Sequence, residues 1–209
     1  MIDTKQRILD TAEQLFGAEG YDATSLRHII TQAGVNLAAI HYHFGSKEEL
    51  LDELILRRAG PVNEKRMALL DQLEAKAGEG PVEIERVLEA FLAPMAEVAD
   101  RKPEFVRVMG RMHAEGMMPV IVRRHFGLVI ERFVGAMRRA LPDLPEQELL
   151  WRVHFMTGAM AHTMCIPPNL VPIAADPAPF RDRIARLIAF LSGGFRAPLP
   201  QPEQIEVSQ

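Results

Sequence analysis

A short segment near the N-terminus, residues 37–44 with the sequence LAAIHYHF, carries side chains suited to close contact with a polar surface. Its two alanines leave the backbone unshielded, and Ile40 and Phe44 lie four residues apart, on one face of a helix. The outer positions are polar aromatic residues, namely His41, Tyr42 and His43. A helix with one apolar edge and a small, hydrogen-bonding outer edge can approach base edges in a major groove. Burial of the same helix inside an all-helical domain is the alternative interpretation.

The residues before this segment predict the elements that position it. Ser25 can cap a helix that ends near Ala33, and apolar residues recur along it at helical spacing. Gly34 can adopt the left-handed conformation that ends a helix, and Asn36 can cap the next one. Two short helices joined by a tight turn are typical of the helix-turn-helix motif.

A further helix is predicted before this motif, over residues 4–18. Its apolar side chains form one stripe, and Asp3 or Thr4 can cap its start. Gly20 ends it, and the aromatic ring of Tyr21 is expected to close a three-helix core.

A connecting helix is predicted after the motif, from residue 47 to about 76. Ser46 and Glu49 have the spacing of a capping box at its start. Gly60 and Pro61 lie inside its apolar pattern. Because proline lacks the backbone N–H that a helix needs, they predict a kink or a short break near residue 59. An irregularity that packing absorbs is the alternative interpretation.

Composition excludes some classes of protein and makes DNA binding harder to explain. The 209 residues carry a net charge of −4, and residues 1–50 hold four basic against seven acidic residues, a net charge of −3. This is not the basic patch typical of nucleic-acid binding, so any affinity must come from few well-placed cations and a doubled site. The single cysteine, Cys165, excludes an internal disulfide and favours a cytoplasmic location. No apolar run reaches the ~20 residues of a bilayer span.

The C-terminal part reads as an all-helical domain with an apolar interior. Helices are predicted at about 81–99, 103–115, 119–140, 145–165 and 178–192, each ended by glycine, proline or aspartate. Methionine, which is flexible and can line irregular apolar space, is concentrated here. The residues that we predict to line a ligand pocket are Phe91, Met95, Phe105, Met109, Met112, Phe126, Met156 and Met160. Four arginines could meet an anionic head group at its mouth, namely Arg107, Arg111, Arg123 and Arg124.

The last two predicted helices have apolar stripes that suit a dimer interface. The residues assigned to this interface are Leu149, Val153, Met164, Ile184, Leu187, Ile188 and Leu191. Residues 166–179 between them are rich in proline and predict a loop. A two-fold dimer would present two reading helices to a palindromic DNA site.

Two other functions compete with DNA binding. His154, His162 and Cys165 fall on about one face of a helix, so a metal or catalytic site can be drawn. Their spacing is not a recognised ligand pattern, and the sequence contains no nucleophile elbow, phosphate loop or nucleotide fingerprint. The acidic N-terminal part also suits an adaptor that keeps the fold without binding DNA.

The N-terminal pattern RILDTAEQLFGAEGYDATSLRHIITQAGVNLAAIHYHFGSKEELL resembles the DNA-binding domain of the TetR family of bacterial transcriptional repressors. The shared features are a capped first helix, Gly-Tyr, Thr-Ser, Ala-Gly-Val, an aromatic-His-Phe step and Ser-Lys-Glu-Glu-Leu-Leu. The form GVNLAAIHYHFGSK resembles the branch whose studied members respond to fatty acids or their acyl derivatives.

The resemblance implies roles for individual residues. Those implied to face base edges are Arg27, Leu37, Ala38, Ala39 and His41, and those implied to hold phosphates are Ser25, Tyr42, His43 and Lys47; Asn36 caps the reading helix beside them. The guanidinium of Arg27 can pair with guanine. The family's usual lysine or glutamine, threonine and tyrosine are replaced here by Leu37, Ala39 and His41, so thymine-methyl contacts or DNA shape must carry more of the recognition.

These observations predict an all-α protein with an N-terminal three-helix helix-turn-helix DNA-binding domain (1–46), a connecting helix (47–76) and a C-terminal helical ligand-binding and dimerisation domain (77–196), followed by a flexible tail (197–209). We expect a DNA-binding regulator in the cytoplasm at the nucleoid, a homodimeric repressor released by a hydrophobic small molecule, such as a fatty acid or acyl derivative. No cofactor, metal, catalytic residue or membrane contact is expected.

Overall fold

The computed structural model describes residues 3–165 and 179–200 of the chain. These residues form ten α-helices and no β-strand. The N-terminal helices are α1 (Thr4–Glu19), α2 (Leu26–Ala33), α3 (Leu37–His43) and α4 (Lys47–Ala77). The C-terminal helices are α5 (Ile84–Arg101), α6 (Pro103–Ala114), α7 (Met118–His125), α8 (Gly127–Ala140), α9 (Glu146–Cys165) and α10 (Phe180–Arg196). The predicted all-α fold is therefore confirmed.

The caps predicted around the helix-turn-helix are present. The Ser25 hydroxyl accepts a hydrogen bond from the His28 N–H at 3.1 Å, and Gly34 ends α2 in the left-handed conformation at φ 60°. The Asn36 side chain accepts from the Ala39 N–H at 2.9 Å. These short-range bonds satisfy backbone donors that each helix start leaves free, so α2 and α3 begin and end where the local sequence requires.

The connecting helix α4 starts with the predicted capping box. The Ser46 hydroxyl accepts from the Glu49 N–H at 3.1 Å, and the Glu49 carboxylate accepts from the Ser46 N–H at 3.0 Å. The helix continues without interruption past Pro61 to Ala77, so the break, one of the two predicted forms of irregularity, is absent. Pro61 is exposed, where the carbonyl that loses its partner can reach water, and a long helix packed on both ends tolerates that loss.

Two apolar cores follow each other along α4. The N-terminal core joins α1, α2 and α3 to the first half of α4, and Tyr21 packs on Phe16 within it as predicted. This core also includes Phe105 and Val108 of α6 and Ile121 of α7. The helix-turn-helix therefore shares buried side chains with the C-terminal helices and does not pack as an independent unit.

The second core occupies the C-terminal part and is built mainly from α5, α8, α9 and α10. The helix predicted over residues 119–140 is two helices, because α7 ends at His125 and α8 begins at Gly127, with Phe126 between them. Glycine is a weak helix former, and here it follows a phenylalanine that lines an internal cavity. The predicted loop over 166–178 and residues 201–209 of the predicted tail lie outside the described residues.

The apolar stripes assigned above to a dimer interface lie inside the chain. Leu149, Ile184, Leu187 and Leu191 are buried in the C-terminal core, Ile188 packs against it, and Val153 and Met164 line the cavity. The interior of one chain already buries Leu149, Ile184, Leu187 and Leu191, so their assignment to a subunit interface is corrected. Val153, Met164 and Ile188 are partly buried, and their place in an interface stays a prediction. In the part of the chain that the structure describes, no helix is long and apolar enough to cross a membrane.

Candidate DNA-binding surface and ligand cavity

The outer face of α3 presents side chains to solvent beside the N-terminal core. Ile40 is buried and Phe44, just past the helix, is buried beside it, so the helix is anchored by the apolar edge predicted from sequence. Tyr42 is 85% exposed, and Leu37, Ala38 and His41 are exposed as well. The anchored edge orients the opposite edge outward, as a reading helix requires.

Arg27, on α2, is exposed and has no ion pair or side-chain hydrogen bond with any described residue. By contrast, Arg57 and Arg58 beside the N-terminal helices are held by carboxylates. The guanidinium of Arg27 is therefore free to bind an external acceptor, and a base edge or a phosphate offers one in the geometry that a guanidinium fits.

Lys47 and His43, which are both predicted to contact phosphates, lie against aromatic rings. The Lys47 ammonium lies 4.1 Å from the centre of the Tyr21 ring, and the His43 and Tyr42 rings meet edge to face at 5.1 Å. His41 is more constrained, because its Nδ1 lies 3.2 Å from the Gly45 carbonyl oxygen. Ser25 and Asn36 use one side-chain oxygen each for capping, and the Ser25 hydroxyl keeps a proton to donate.

A buried carboxylate fixes the helix-turn-helix to the connecting helix. Glu13 of α1 is 3% exposed and accepts hydrogen bonds from Arg57 Nη2 at 2.8 Å and from Arg58 Nη2 at 2.6 Å. Arg57 also donates to Gln6 and Asp10 of α1. We call this group the Glu13 clamp, and it makes α1 move with α4.

An apolar cavity of about 130 Å³ lies between helices α4 to α9. Seven of the eight predicted pocket residues line it: Phe91, Met95, Phe105, Met109, Phe126, Met156 and Met160. Met112 does not, because it is buried in the N-terminal core. A cavity of this size is close to the roughly 150 Å³ of a dry apolar cavity that binds benzene.

None of the four arginines predicted at the pocket mouth lines the cavity. Arg124 donates to Asp52 at 2.6 Å, Arg111 donates to the Ala18 carbonyl at 3.0 Å, and Arg107 and Arg123 are exposed. The cation that does line the cavity is Arg66 of α4. Arg66 is not among the residues predicted for the cavity from the sequence. It lies four residues after Val62 and four before Leu70, so it places a charge in an apolar stripe.

Arg66 is 3% exposed and is held by neutral groups. Its Nε donates to the Phe91 carbonyl at 2.7 Å and its Nη1 donates to the Asn63 side-chain oxygen at 3.1 Å. The guanidinium also lies over the Phe91 ring, 4.1 Å from its centre. Burial lowers the pKa of Arg66 to about 10, so the side chain carries its charge at neutral pH.

Two helices that line the cavity also contact the DNA-binding part. On α7, His125 Nε2 lies 2.8 Å from an Asp52 oxygen near the start of α4, and Arg124 binds the other oxygen. Just past α6, a Glu115 oxygen accepts from the Tyr21 N–H at 3.1 Å. Gly17 of α1 packs so closely on α6 that an added Cβ would lie 3.3 Å from the Glu104 carbonyl oxygen.

Large apolar side chains are exposed on the last two helices. We define the α9–α10 patch as Leu150, Trp151 and Phe155 of α9 together with Phe190 of α10. Phe155 is 62% and Phe190 71% exposed, and the Trp151 and Phe155 rings stack at 5.7 Å. Sequence reasoning missed these residues because both faces of α9 are apolar, so periodicity alone could not choose the inner face.

The described residues of the alternative metal site do not form a cluster of metal ligands. His154 and His162 are exposed on α9, His154 packs on Trp151, and the Cys165 side chain lies outside the described atoms. Within residues 3–165 and 179–200, no three histidine, cysteine, aspartate or glutamate side chains form a group that could hold a metal ion.

Comparison with known proteins identifies the family. Residues 8–54 match the family described as "Bacterial regulatory proteins, tetR family", and residues 89–194, just over half of the chain, match "Tetracyclin repressor-like, C-terminal domain". Among curated relatives, the regulator AcrR of Shigella flexneri is 44% identical over 52 residues, which cover 25% of this chain and 24% of AcrR. The repressor NicS of Pseudomonas putida is 31% identical over 106 residues, which cover 51% of this chain and 46% of NicS. The chain thus spans a quarter to a half of the length of these relatives.

Solved structures share the fold over nearly the whole chain. A TetR-like regulator from Rhodococcus sp. RHA1 aligns with a TM-score of 0.64 at 18% identity, covering 93% of this chain and 97% of the other. FadR from Bacillus halodurans, a fatty acid degradation regulator, aligns with a TM-score of 0.59 at 16% identity, covering 95% and 99%. The chain belongs to the TetR family of DNA-binding transcriptional regulators.

Proposed function

We propose that this chain acts as a homodimeric repressor that binds a palindromic operator when its cavity is empty and leaves it when a hydrophobic small molecule fills the cavity. The observation that carries this proposal is that α6 and α7 both line the cavity and hold the helix-turn-helix. Glu115 binds the backbone at Tyr21, and His125 and Arg124 bind Asp52.

The size of the cavity supports a change of shape on ligand binding. Small-molecule pockets usually enclose about 300–1,000 Å³, so a ligand of ordinary size needs more than the 130 Å³ available here. The extra volume has to come from displacement of lining helices, and α7 is bonded to the start of α4. A ligand that binds the displaced arrangement better shifts the population toward it and away from the DNA-binding arrangement.

The Glu13 clamp supports transmission of that change to DNA. Since α1 is fixed to α4 by Arg57 and Arg58, a shift of α4 carries the three N-terminal helices with it. In a two-fold dimer, such a shift changes the separation of two reading helices, which must lie about 34–36 Å apart, or a multiple of that distance, to enter successive turns of the major groove.

The α9–α10 patch supports the dimer. Three large aromatic side chains, Trp151, Phe155 and Phe190, are more than half exposed on α9 and α10, and exposed apolar groups of this size favour a protein contact. A self-complementary patch on one side of the molecule suits an isologous two-fold contact. None of the patch residues belongs to α1, α2 or α3, so association through the patch would not use the residues predicted to contact DNA.

The proposal can be tested by gel-shift titration with DNA from the region upstream of the protein's own gene, at low salt. We expect a discrete complex whose footprint is palindromic, and loss of the complex when an apolar compound binds. Fatty acids and acyl derivatives are the first compounds to add, and the fatty-acid assignment remains a prediction. A complex that persists when the cavity is shown by native mass spectrometry to be filled would contradict release by ligand.

A further inference from the structure

We propose that the ligand of this cavity is a monocarboxylate with an apolar body, and that its carboxylate pairs with the buried guanidinium of Arg66. The inference rests on the proposed function in one respect, because it assumes that the cavity binds a small molecule. It adds the chemical class of that molecule and the residue that recognises it.

The described lining of the cavity carries a positive charge. Among its described lining residues Arg66 is the charged one, and Thr157 supplies the other polar side chain. The Thr157 hydroxyl donates to the Val153 carbonyl of its own helix at 2.9 Å. A ligand that fills this space therefore meets one positive group in an otherwise apolar wall.

The guanidinium of Arg66 has no anionic partner among the described residues. No carboxylate of the described residues lies within 4.0 Å of its guanidinium, although most buried or half-buried arginines of this chain have one. Burial of an unpaired charge is costly, and proteins usually compensate it with a counter-ion. In Arg66 the compensation is limited to the Phe91 carbonyl, the Asn63 amide oxygen and the Phe91 ring.

The guanidinium of Arg66 keeps N–H donors that are not used within the chain. Nε is bound to Phe91 and one Nη1 proton to Asn63, which fixes the plane of the guanidinium. Nη2 has no hydrogen-bond partner among the described residues, and the second Nη1 proton is also available. Two parallel N–H groups of one guanidinium fit the two oxygens of a carboxylate.

Charge balance favours a carboxylate over a phosphate. A carboxylate carries a single negative charge and neutralises Arg66, whereas a phosphate monoester carries close to two charges at neutral pH and leaves one of them buried without a partner. A neutral apolar molecule would leave the guanidinium unpaired and in addition remove it from any water that enters the cavity. The apolar walls accept an alkyl chain or a ring as the body of the ligand.

The test measures binding to the full-length protein in the absence of DNA by isothermal titration calorimetry. The probes are butanoate, hexanoate, octanoate and decanoate and 3-phenylpropanoate, each paired with its neutral primary amide, and octyl phosphate. We expect at least one carboxylate to bind wild-type protein roughly 10- to 100-fold more tightly than its amide. Equal binding of carboxylate and amide, tighter binding of octyl phosphate, or no binding of any probe at millimolar concentration would overturn the proposal.

Variants assign the preference to Arg66. Arg66→Met keeps the volume of the side chain and should bring the affinities for carboxylate and amide to within about threefold of each other. Arg66→Lys keeps the charge but not the paired donors, and should retain a smaller preference for the carboxylate. Arg132→Met, at an exposed arginine of α8 outside the cavity, should keep the wild-type preference. A carboxylate preference that survives in folded Arg66→Met, as judged by circular dichroism, would exclude Arg66 as the recognition group.

The outcome is separable from that of the proposed function. If octanoate binds through Arg66 but does not dissociate the protein from its operator in a gel shift, the ligand class stands and release by this ligand fails. If the operator complex responds to a neutral apolar compound while carboxylates show no preference, the repressor proposal stands and the ligand class fails.

Discussion

At the scale of single residues, DNA binding by this chain has to rely on few cations. Residues 1–50 carry a net charge of −3, and Lys5 is already paired with Glu53 at 2.8 Å. Arg27 has no such partner, and Tyr42 projects its phenol from the reading helix. Each of these two side chains should therefore contribute a larger share of operator affinity than in a basic DNA-binding domain.

Arg27→Ala is expected to weaken operator binding by about 1–3 kcal/mol per half-site, because a paired guanidinium contact to a base is lost. Tyr42→Phe, which removes only a hydroxyl group, should weaken binding less. Gel-shift titration at fixed salt measures both changes. Arg101→Ala, an exposed arginine at the end of α5, serves as the matched control and should bind DNA like the wild type. Unchanged affinity of Arg27→Ala, with helicity intact, would exclude this arginine from the site.

Arg66 differs from the exposed Arg27 because the chain buries its cation. Its pKa is lowered to about 10 because the charged form loses its hydration, so below pH 10 the charge makes the folded state less stable than a neutral side chain would. Arg66→Met should raise the free energy of unfolding at pH 7 by about 1 kcal/mol, after the loss of two hydrogen bonds is subtracted. The gain should shrink as pH rises above 10, where the wild-type group loses its proton. Urea unfolding at pH 7 and pH 10.5 measures the change, and a clear loss of stability at pH 7 would contradict it.

At the scale of elements, the Glu13 clamp shows how α1 is held on α4. Glu13→Ala leaves two half-buried guanidinium groups without their shared carboxylate and should destabilise the protein by about 2–3 kcal/mol. Glu53→Ala removes from α4 a carboxylate that is 44% exposed and pairs with Lys5 of α1, and it should cost at most about 1 kcal/mol. Chemical denaturation compares the two variants. Similar losses of unfolding free energy in the two variants would show that the buried ion pairs of Glu13 stabilise the fold no more than the partly exposed pair of Glu53.

A second link between elements joins the two ends of the C-terminal part and depends on pH. Arg196 of α10 donates from Nε and Nη2 to the two oxygens of Glu85 on α5, at 2.9 and 2.6 Å. This contact holds the pKa of Glu85 below its ordinary value, so the link stabilises the fold above that ordinary value and is lost as pH falls through the lowered one. Glu85→Gln should lower the thermal midpoint slightly at pH 7, and this effect should shrink as pH falls below the ordinary pKa of Glu85. A larger decrease of the thermal midpoint in acid than at neutral pH would contradict this pH dependence.

At the scale of the whole molecule, the α9–α10 patch predicts how two chains meet. Phe155→Glu places a charge in an apolar contact and should convert the dimer to monomers at micromolar concentration, as measured by sedimentation velocity. Leu128→Glu is the matched control, because Leu128 is an exposed apolar residue of α8 outside the patch and its variant should stay dimeric. Dissociation by Leu128→Glu but not by Phe155→Glu would move the interface to another face.

The helix-turn-helix could be predicted closely because its signals act over short distances. The caps at Ser25, Asn36 and Ser46 each involve a backbone N–H only three residues away, and Gly34 needs nothing beyond its own backbone freedom. Seven of the eight residues predicted for the cavity line it, since methionine and phenylalanine concentrate in the helices that surround it.

The sequence by itself determined the all-helical class, the ends of α1 to α4 and the edge of α3 that faces outward, because these follow from local hydrogen bonds and from helical periodicity. Only the tertiary structure decided the continuity of α4 past Pro61, the end of α7 at His125, the inner faces of α9 and α10 and the burial of Arg66. Each of these depends on which distant side chains pack against the residue. The sequence pattern of one helix does not contain that information when both of its faces are apolar or when a cation lies inside its apolar stripe.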